Sequence, residues 1–196
     1  MNESVRMIVV LAVIAMVSGG VLSFVYDWTG AIIAENQLRQ MESSVFEVLP
    51  GAVRVEPLGT APSTLVQDDP ETSREVEQTT TQIFVGFDAQ DKALGYAFVG
   101  EGPGYGGAVR ILVGVDGESG EILNLAVLNH AETPGLGSKI EEASFRNQFK
   151  GKTLDDPIAI GRDIDGISGA TVSSRAVAEA VRRGFADAAA AYERSR

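Results

Sequence analysis

An uncharged apolar run, Met7–Tyr26, lies near the N-terminus of the chain. About twenty apolar residues are enough for a helix to cross the roughly 30 Å hydrocarbon core of a bilayer. Arg6 precedes the run and Asp27 follows it, which favours a cytoplasmic N-terminus. The sequence therefore predicts a transmembrane helix over 7–26, with residues 1–6 in the cytoplasm. The alternative is a cleaved signal peptide, whose apolar region is usually shorter, about 7–15 residues.

The residue content excludes several classes of function. A net charge of −11 argues against a nucleic-acid surface, which needs clustered Lys and Arg. The chain has no cysteine, which excludes disulfides, thiol catalysis and zinc–thiolate sites. A single histidine leaves no room for a multi-histidine metal site.

Two segments connect the apolar run to the body of the protein. Residues 27–56 are predicted as a stalk or as the first packed helix, because apolar residues recur there at rough helical spacing. Pro50-Gly51 stops that pattern. Residues 57–80 are rich in Pro, Thr, Ser and acids and show no apolar period, so they are predicted as a linker or surface loop.

The body, residues 81–196, begins with short β-rich runs and ends in helical patterns. The runs are bounded by Gly, Asp and Ser clusters and cover residues 81–88, 93–100, 108–116 and 121–129. An Asp-Gly pair predicts a hairpin turn at 116–120. Helices are predicted over Lys139–Phe149 and Ser173–Arg194. Strands followed by helices indicate an α+β fold with a mostly antiparallel sheet.

Two short motifs lack the context that their usual ligands require. Residues 102–107 match G-x-G-x-x-G, but a β-rich run follows where a dinucleotide site needs a helix. A flexible glycine turn, or a close backbone approach to a ligand, is expected there instead. Asp163, Asp165 and Gly166 resemble the start of a calcium loop, but Ser174 stands where the bidentate Glu is required.

Residues 165–174, DGISGATVSS, place two glycines and four hydroxyls in front of the last predicted helix. Ser173 or Ser174 is a suitable N-cap, so Thr171 is expected just ahead of the positive end of that helix. Such a place favours a phosphate group. The residues alone leave three alternatives open: an ordinary capped turn, phosphate binding, and covalent attachment of a phosphate.

A second cluster lies in residues 129–142, NHAETPGLGSKIEE. It brings the only His together with a Glu, a Thr, two Gly and a Lys directly after a predicted strand. Loops positioned by a sheet often carry binding residues. The segment is therefore either a binding loop or a plain turn that leads into the helix at Lys139.

The two clusters together are similar to the FMN-binding domain family. Asp165-x-x-Ser168-Gly169-Ala170-Thr171 resembles the D-x-x-[ST]-G-A-T flavinylation motif of that family. Residues 132–137, ETPGLG, resemble its second signature, which lies beside the isoalloxazine ring, and residues 104–116 resemble the strand that precedes it. In the family, a dedicated flavin transferase uses FAD and magnesium to link FMN to the last Thr by a phosphoester.

The resemblance implies a role for each residue of the two clusters. Thr171 would carry covalent FMN, and the phosphate would be surrounded by Ser168, Gly169, Ala170 and Ser173. Asp165 would position the acceptor or the metal of the transferase, or only cap the turn. The flavin would be faced by Glu132, Thr133, Leu136 and Gly137. Three further residues keep two interpretations each. Tyr105 would stack on the flavin or would be a plain core or rim aromatic, and His130 would be a hydrogen-bonded loop residue or would transfer a proton. Lys139 would neutralise the reduced flavin or the phosphate, or would only be a solvated residue at the start of a helix.

Within the family, the size and layout resemble the G subunits of Rnf-type complexes, which pass electrons between ferredoxin and NAD and move ions. The C subunits of sodium-pumping NADH:quinone reductases are the alternative, and a flavin-binding sensor module is a further one. The resemblance implies a redox subunit of a membrane translocase with no substrate turnover of its own. It also implies a single-pass protein of the bacterial inner membrane, with its domain on the periplasmic side and other redox subunits as partners.

Overall fold

The computed structural model describes residues 6, 7, 11, 13–20, 22, 23, 44–62 and 80–195. The chain divides into two compact units, Met1–Met41 and Glu42–Arg196. The described residues of the predicted span 7–26 are helical. Within the described part of the chain, no helix is both long and apolar enough to cross a membrane. The remainder of that span, most of the predicted stalk and residues 63–79 of the predicted linker lie outside the described residues.

The second unit is built on one antiparallel sheet whose five strands follow each other in chain order. They are β1 (Arg54–Pro62), β2 (Thr80–Phe87), β3 (Ala93–Pro103), β4 (Ala108–Asp116) and β5 (Ile122–Asn129). On β4, alternate residues from Val109 to Val115 are fully buried on one face, and Leu112 and Gly114 between them are buried on the other, as in a strand with both faces covered. The predicted α+β class, with its antiparallel sheet, is confirmed.

The edge strand β1 corrects the sequence prediction. The sequence predicts a stalk or packed helix up to residue 56 and a linker or surface loop from residue 57, and both predictions are wrong for residues 54–62, which form a strand. The register of β1 against β2 shifts between Pro57 and Gly59. A bulge of this kind interrupts the alternation of apolar and polar residues by which a strand is recognised in a sequence. Residues 54–62 therefore carry no alternating pattern that predicts β1.

The helical segment after β5 is interrupted, so the prediction of one helix over Lys139–Phe149 is also wrong. A 3₁₀ helix (Gly137–Glu141) is followed by a short α-helix (Ala143–Arg146) and a second 3₁₀ turn (Asn147–Phe149). Glu142 between them is extended, with ψ 140°. Ile140 and Phe145 are both buried, and a continuous helix would place residues five apart about 140° from each other around its axis. The break lets both side chains reach the same core.

The long C-terminal helix, here α3 (Thr171–Ser195), lies across one face of the sheet. We number residues 44–48 as α1 and Ala143–Arg146 as α2. Phe185 of α3 stacks on Phe98 of β3, with ring centroids 6.0 Å apart. A Cβ on Gly102 would lie 2.1 Å from the carbonyl oxygen of Ala176, so the helix backbone touches the end of β3. This contact brings the first turn of α3 to the β3–β4 turn.

The opposite face of the sheet is covered by α1. Its residues Val45 and Val48 are buried, as is Leu49 directly after it. A Cβ on Gly114 would lie 2.0 Å from the carbonyl oxygen of Val48, which shows how closely α1 approaches β4. The sheet is therefore covered on both faces, and the site lies at one end of it.

Candidate functional site

A cleft of about 500 Å³ opens at the end of the sheet where the β3–β4 turn, the loop after β5 and the start of α3 meet. Its volume lies within the range of small-molecule sites, about 300–1,000 Å³. The structure thus brings together the two residue clusters that the sequence singled out. The lining residues are Tyr105, Glu132, Thr133, Leu136, Gly137, Gly169, Ala170, Thr171, Val172 and Ser173.

Thr171 is the first residue of α3, not a residue ahead of it. The first helical hydrogen bond runs from the Ser174 N–H to the Ala170 carbonyl at 3.0 Å, which makes Ala170 the N-cap position. The prediction that Ser173 or Ser174 caps the helix is therefore wrong. The N–H groups of Thr171, Val172 and Ser173 precede that bond and have no intrahelical acceptor. Thr171 and Val172 are exposed, so these groups border a place that favours an anion.

Ser174 has a different function from the predicted cap. Its hydroxyl accepts the Ile167 N–H at 3.0 Å and donates to the Ala170 carbonyl at 2.9 Å. It is fully buried. Ser174 therefore ties the turn ahead of the helix to the first turn of the helix.

Two four-residue turns meet at the cleft, and we call residues 133–136 the first glycine turn and residues 167–170 the second. In each turn the N–H of the last residue donates to the carbonyl of the first, at 3.2 and 2.9 Å respectively. The third residue is Gly135 in one turn, with φ 73°, and Gly169 in the other, with φ 79°. These are type II turns, which require glycine at that position. A Cβ on Gly169 would lie 3.0 Å from Leu136 Cδ1, so the two turns touch.

Glu132 lies on the floor of the cleft and is 5% exposed. Its Oε1 accepts the Gly106 N–H at 3.0 Å, and its Oε2 accepts the Ser173 hydroxyl. Both donors are neutral. A Cβ on Gly137 would lie 2.7 Å from Glu132 Oε2 and 2.9 Å from Ser173 Oγ, so glycine is required there. Glu132 was expected to face a ligand, but its two oxygens connect the β3–β4 turn to α3.

His130 is hydrogen-bonded within its own loop. The Glu132 N–H donates to His130 Nδ1 at 3.1 Å, so Nδ1 carries no proton and Nε2 donates to Glu141 Oε1 at 3.0 Å. This arrangement corresponds to the loop role among the two interpretations of His130. Lys139 is exposed on the 3₁₀ helix and does not line the cleft. Tyr105 is 78% exposed at the rim.

The backbone of Asp165 is held by a residue that the sequence did not single out. Gln148 Oε1 accepts the Asp165 N–H at 2.7 Å, and Gln148 Nε2 donates to the Asp165 carbonyl at 3.2 Å. Asp165 and Ser168 are exposed and lie outside the cleft lining. The Asp165 carboxylate makes no capping bond within the described residues; Ser174 serves that turn instead.

Asp163 stabilises the loop that leads to the second glycine turn. Its carboxylate accepts the N–H groups of Ile158 and Ala159 at 3.1 and 2.8 Å and pairs with Lys152 Nζ at 3.1 Å. Burial on its own would raise the pKa of Asp163, but these three donors outweigh it, and the pKa is lowered.

Comparison with known proteins agrees with this geometry. Residues 104–186, which contain the whole cleft, match the model of the FMN-binding domain. The G subunit of the ion-translocating oxidoreductase complex of Methanosarcina acetivorans is 30% identical over 189 residues, with 92% of each chain covered. The protein of the same name from Cereibacter sphaeroides is 33% identical, with 89% of this chain and 80% of that one covered.

A solved structure, NqrC of Shewanella oneidensis, superposes with a TM-score of 0.55 and covers 78% of this chain and 86% of that one. At 20% sequence identity this likeness establishes the fold. The fold and the cleft thus define a chain that contains an FMN-binding domain. The chain belongs to the family of the G subunits of ion-translocating oxidoreductase complexes.

Proposed function

We propose that the chain is a membrane-anchored electron-transfer subunit of an Rnf-type complex, and that it carries FMN joined through its phosphate to Thr171. The observation that carries the proposal is the position of that hydroxyl. Thr171 is exposed at the first position of a 25-residue helix and forms part of the wall of the cleft. A phosphate there meets the unsatisfied N–H groups and the positive end of the helix.

The residues around Thr171 fit a flavin. Gly137, Gly169 and Ala170 keep the approach to the hydroxyl free of large side chains. Leu136 and Val172 line the same cleft and are 41% and 48% exposed, so they offer apolar surface that can pack on an aromatic ring and exclude water from it. FMN supplies the redox chemistry when it is bound, while the chain binds and orients it.

Attachment is a group transfer at the Thr171 hydroxyl. Its Oγ1 forms a bond to the FMN-side phosphorus of FAD, the pyrophosphate bond breaks, and AMP leaves with the bonding electron pair. The hydroxyl proton passes to the medium or to a base of the flavin transferase. Asp165 projects from the exposed surface next to the second glycine turn, where a transferase and its magnesium ion can reach it.

The proposal includes a location and partners. The apolar run 7–26 has the length of a membrane-spanning helix, so we assign it as the single anchor in the bacterial inner membrane, with the FMN-binding domain on the periplasmic side. A carrier in that compartment has no cytoplasmic FMN pool from which to replace lost cofactor, which is a reason for covalent attachment. Its partners are the other membrane and redox subunits of the complex.

The test compares two threonines of the same cleft. The full-length protein, its Thr171→Ala variant and its Thr133→Ala variant are made in the natural host, or together with its flavin transferase. Each is boiled in detergent, separated on a gel and viewed under ultraviolet light. We expect a fluorescent band for the wild type and for Thr133→Ala, and none for Thr171→Ala. A dark wild-type band, or fluorescence that survives in Thr171→Ala, contradicts the proposal.

A further inference from the structure

The proposed phosphodiester on Thr171 would place a second negative charge at the start of α3, next to the carboxylate of Glu132. The buried Glu132 carboxylate already accepts the hydroxyl of Ser173, the third residue of α3. A phosphodiester on Thr171, two residues earlier, adds another negative charge to the same turn of the helix. Two like charges at one helix end repel each other, and only part of that repulsion is offset by the macrodipole.

Arg175 is the cation placed to relieve this repulsion. It follows Thr171 by four residues, and residues four apart lie on the same face of a helix. Helical side chains lean back toward the N-terminus, so a long side chain at position 175 covers the turn that holds Thr171. Arg175 and Thr171 are both exposed. Within the described residues, the Arg175 side chain takes part in no hydrogen bond or ion pair, although eight pairs between Arg or Lys and a carboxylate are formed elsewhere.

The nearby acid on the helix does not account for Arg175. Glu179, four residues further on, forms its ion pair with Arg183. A cation near the start of a helix also gains nothing from the macrodipole, whose positive end lies there. Within the described residues of the unmodified chain, the Arg175 side chain therefore has no charge partner, and an anion on Thr171 would supply one.

We propose that Arg175 is the counter-ion of the phosphate on Thr171. Arg175 is a positioning residue: it holds the phosphodiester against the first turn of α3 from the solvent side, opposite the cleft wall. The inference rests on the proposed attachment at Thr171. Lys139, the cation that the sequence suggested for this purpose, is exposed on a different element and does not line the cleft.

The pairing of Arg175 with the phosphate is tested by a thermodynamic cycle of melting temperatures, measured on the full-length protein in detergent. Wild type and Arg175→Ala are each prepared with flavin, by maturation with the transferase, and without it, from a host that lacks the transferase. The melting temperature of all four proteins is measured. We expect flavin attachment to be less stabilising in Arg175→Ala than in wild type by roughly 1–3 °C, as for one exposed charge pair. In the unmodified protein, Arg175→Ala is expected to lower the melting temperature little or not at all.

Three further variants make the result specific. Arg175→Lys is expected to keep most of the flavin-dependent shift, and the difference between wild type and Arg175→Ala is expected to shrink at high salt. Arg182→Ala, which removes another exposed arginine of α3, is expected to behave as wild type. Equal flavin-dependent shifts in wild type and Arg175→Ala overturn the inference, as does a loss seen in Lys139→Ala in place of Arg175→Ala. A wild type that never acquires flavin in its own host refutes the attachment itself, and the pairing with it.

Discussion

The two glycine turns that meet at the cleft have the same geometry but are held by different parts of the chain. The first, residues 133–136, is held locally: the Ser138 hydroxyl accepts the Gly135 N–H at 2.9 Å, and the Ser138 N–H donates to the Thr133 carbonyl at 3.2 Å. The second, residues 167–170, is bonded at both ends by the Ser174 hydroxyl, and it is also held from a distance, because Gln148 binds the backbone of Asp165 just before it. The first turn therefore depends on residues of its own loop, whereas the second depends in addition on Gln148, which lies 17 residues from Asp165.

The largest loss of stability is expected for a substitution at Gly137, where the first glycine turn meets the floor of the cleft. In Gly137→Ala the new methyl group would lie 2.7 Å from Glu132 Oε2 and 2.9 Å from Ser173 Oγ. The buried bond between these two side chains cannot persist, and we expect a loss of about 2–4 kcal/mol in the free energy of unfolding, together with loss of flavin attachment. Urea denaturation and gel fluorescence measure the two effects.

Gly135→Ala is the matched control for that variant. Nothing lies within 4 Å of a Cβ at position 135, and only its φ of 73° opposes the substitution. The expected loss is about 1–2 kcal/mol, the usual strain of an alanine in a left-handed conformation. Equal losses in the two variants would show that the cleft floor is not tightly packed around residue 137.

Gln148→Ala tests the dependence of the second turn on a distant residue. It removes both hydrogen bonds to the Asp165 backbone, and we expect a loss of about 1–2 kcal/mol in the free energy of unfolding and slower flavin attachment. Amide hydrogen exchange should rise at Ala170, whose N–H closes the second turn, and stay unchanged at Leu136, whose N–H closes the first. Gln90→Ala, an exposed glutamine of another loop, serves as the control. Faster exchange at Leu136 than at Ala170 would reverse the comparison.

Ser138→Ala is the reciprocal experiment with a smaller expected effect. It removes the acceptor of the Gly135 N–H, an exposed hydrogen bond, and we expect a loss of about 0.5–1 kcal/mol. Amide exchange should now rise at Leu136 and remain as in wild type at Ala170. An increase of equal size at both amides would mean that the two turns open together and are not held independently.

The smallest expected effect is the pH dependence of the stability that Asp163 gives to the loop before the second glycine turn. Because the pKa of Asp163 is lowered in the folded protein, its carboxylate contributes stability that is present above the ordinary pKa of 3.8 and is lost as the pH falls through and below it. The stability difference between wild type and Asp163→Asn should therefore shrink as the pH is lowered from about 5 toward 3. Urea midpoints at a series of pH values measure it. A difference that stays constant over this range contradicts the assignment.

The features that the sequence predicted correctly are those encoded over a few residues. The runs 108–116 and 121–129 are β-rich stretches bounded by Gly, Asp and Ser clusters and correspond to β4 and β5, and the Asp-Gly pair at 116–117 marks the turn between them. Pro134-Gly135 fixes the type II geometry of the first glycine turn in the same local way. Both binding clusters were found because their glycines and hydroxyls are close together in sequence.

The features that the sequence did not reveal depend on contacts between distant residues. A register shift removed the alternation of β1. The break at Glu142 is set by where the core needs Ile140 and Phe145. Gln148 lies 17 residues from Asp165, and a single glutamine in a helical pattern carries no signal for such a contact.

The most direct test of the central claim is the location of the flavin on the chain. Trypsin cleaves after Arg162 and Arg175, and releases residues 163–175 as one peptide that contains Thr171 and three serines. Mass spectrometry of that peptide from protein matured in its own host should show the added mass of one FMN less one water, with fragment ions that assign it to Thr171. An unmodified peptide, or a flavin assigned to Ser168, Ser173 or Ser174, would contradict the account.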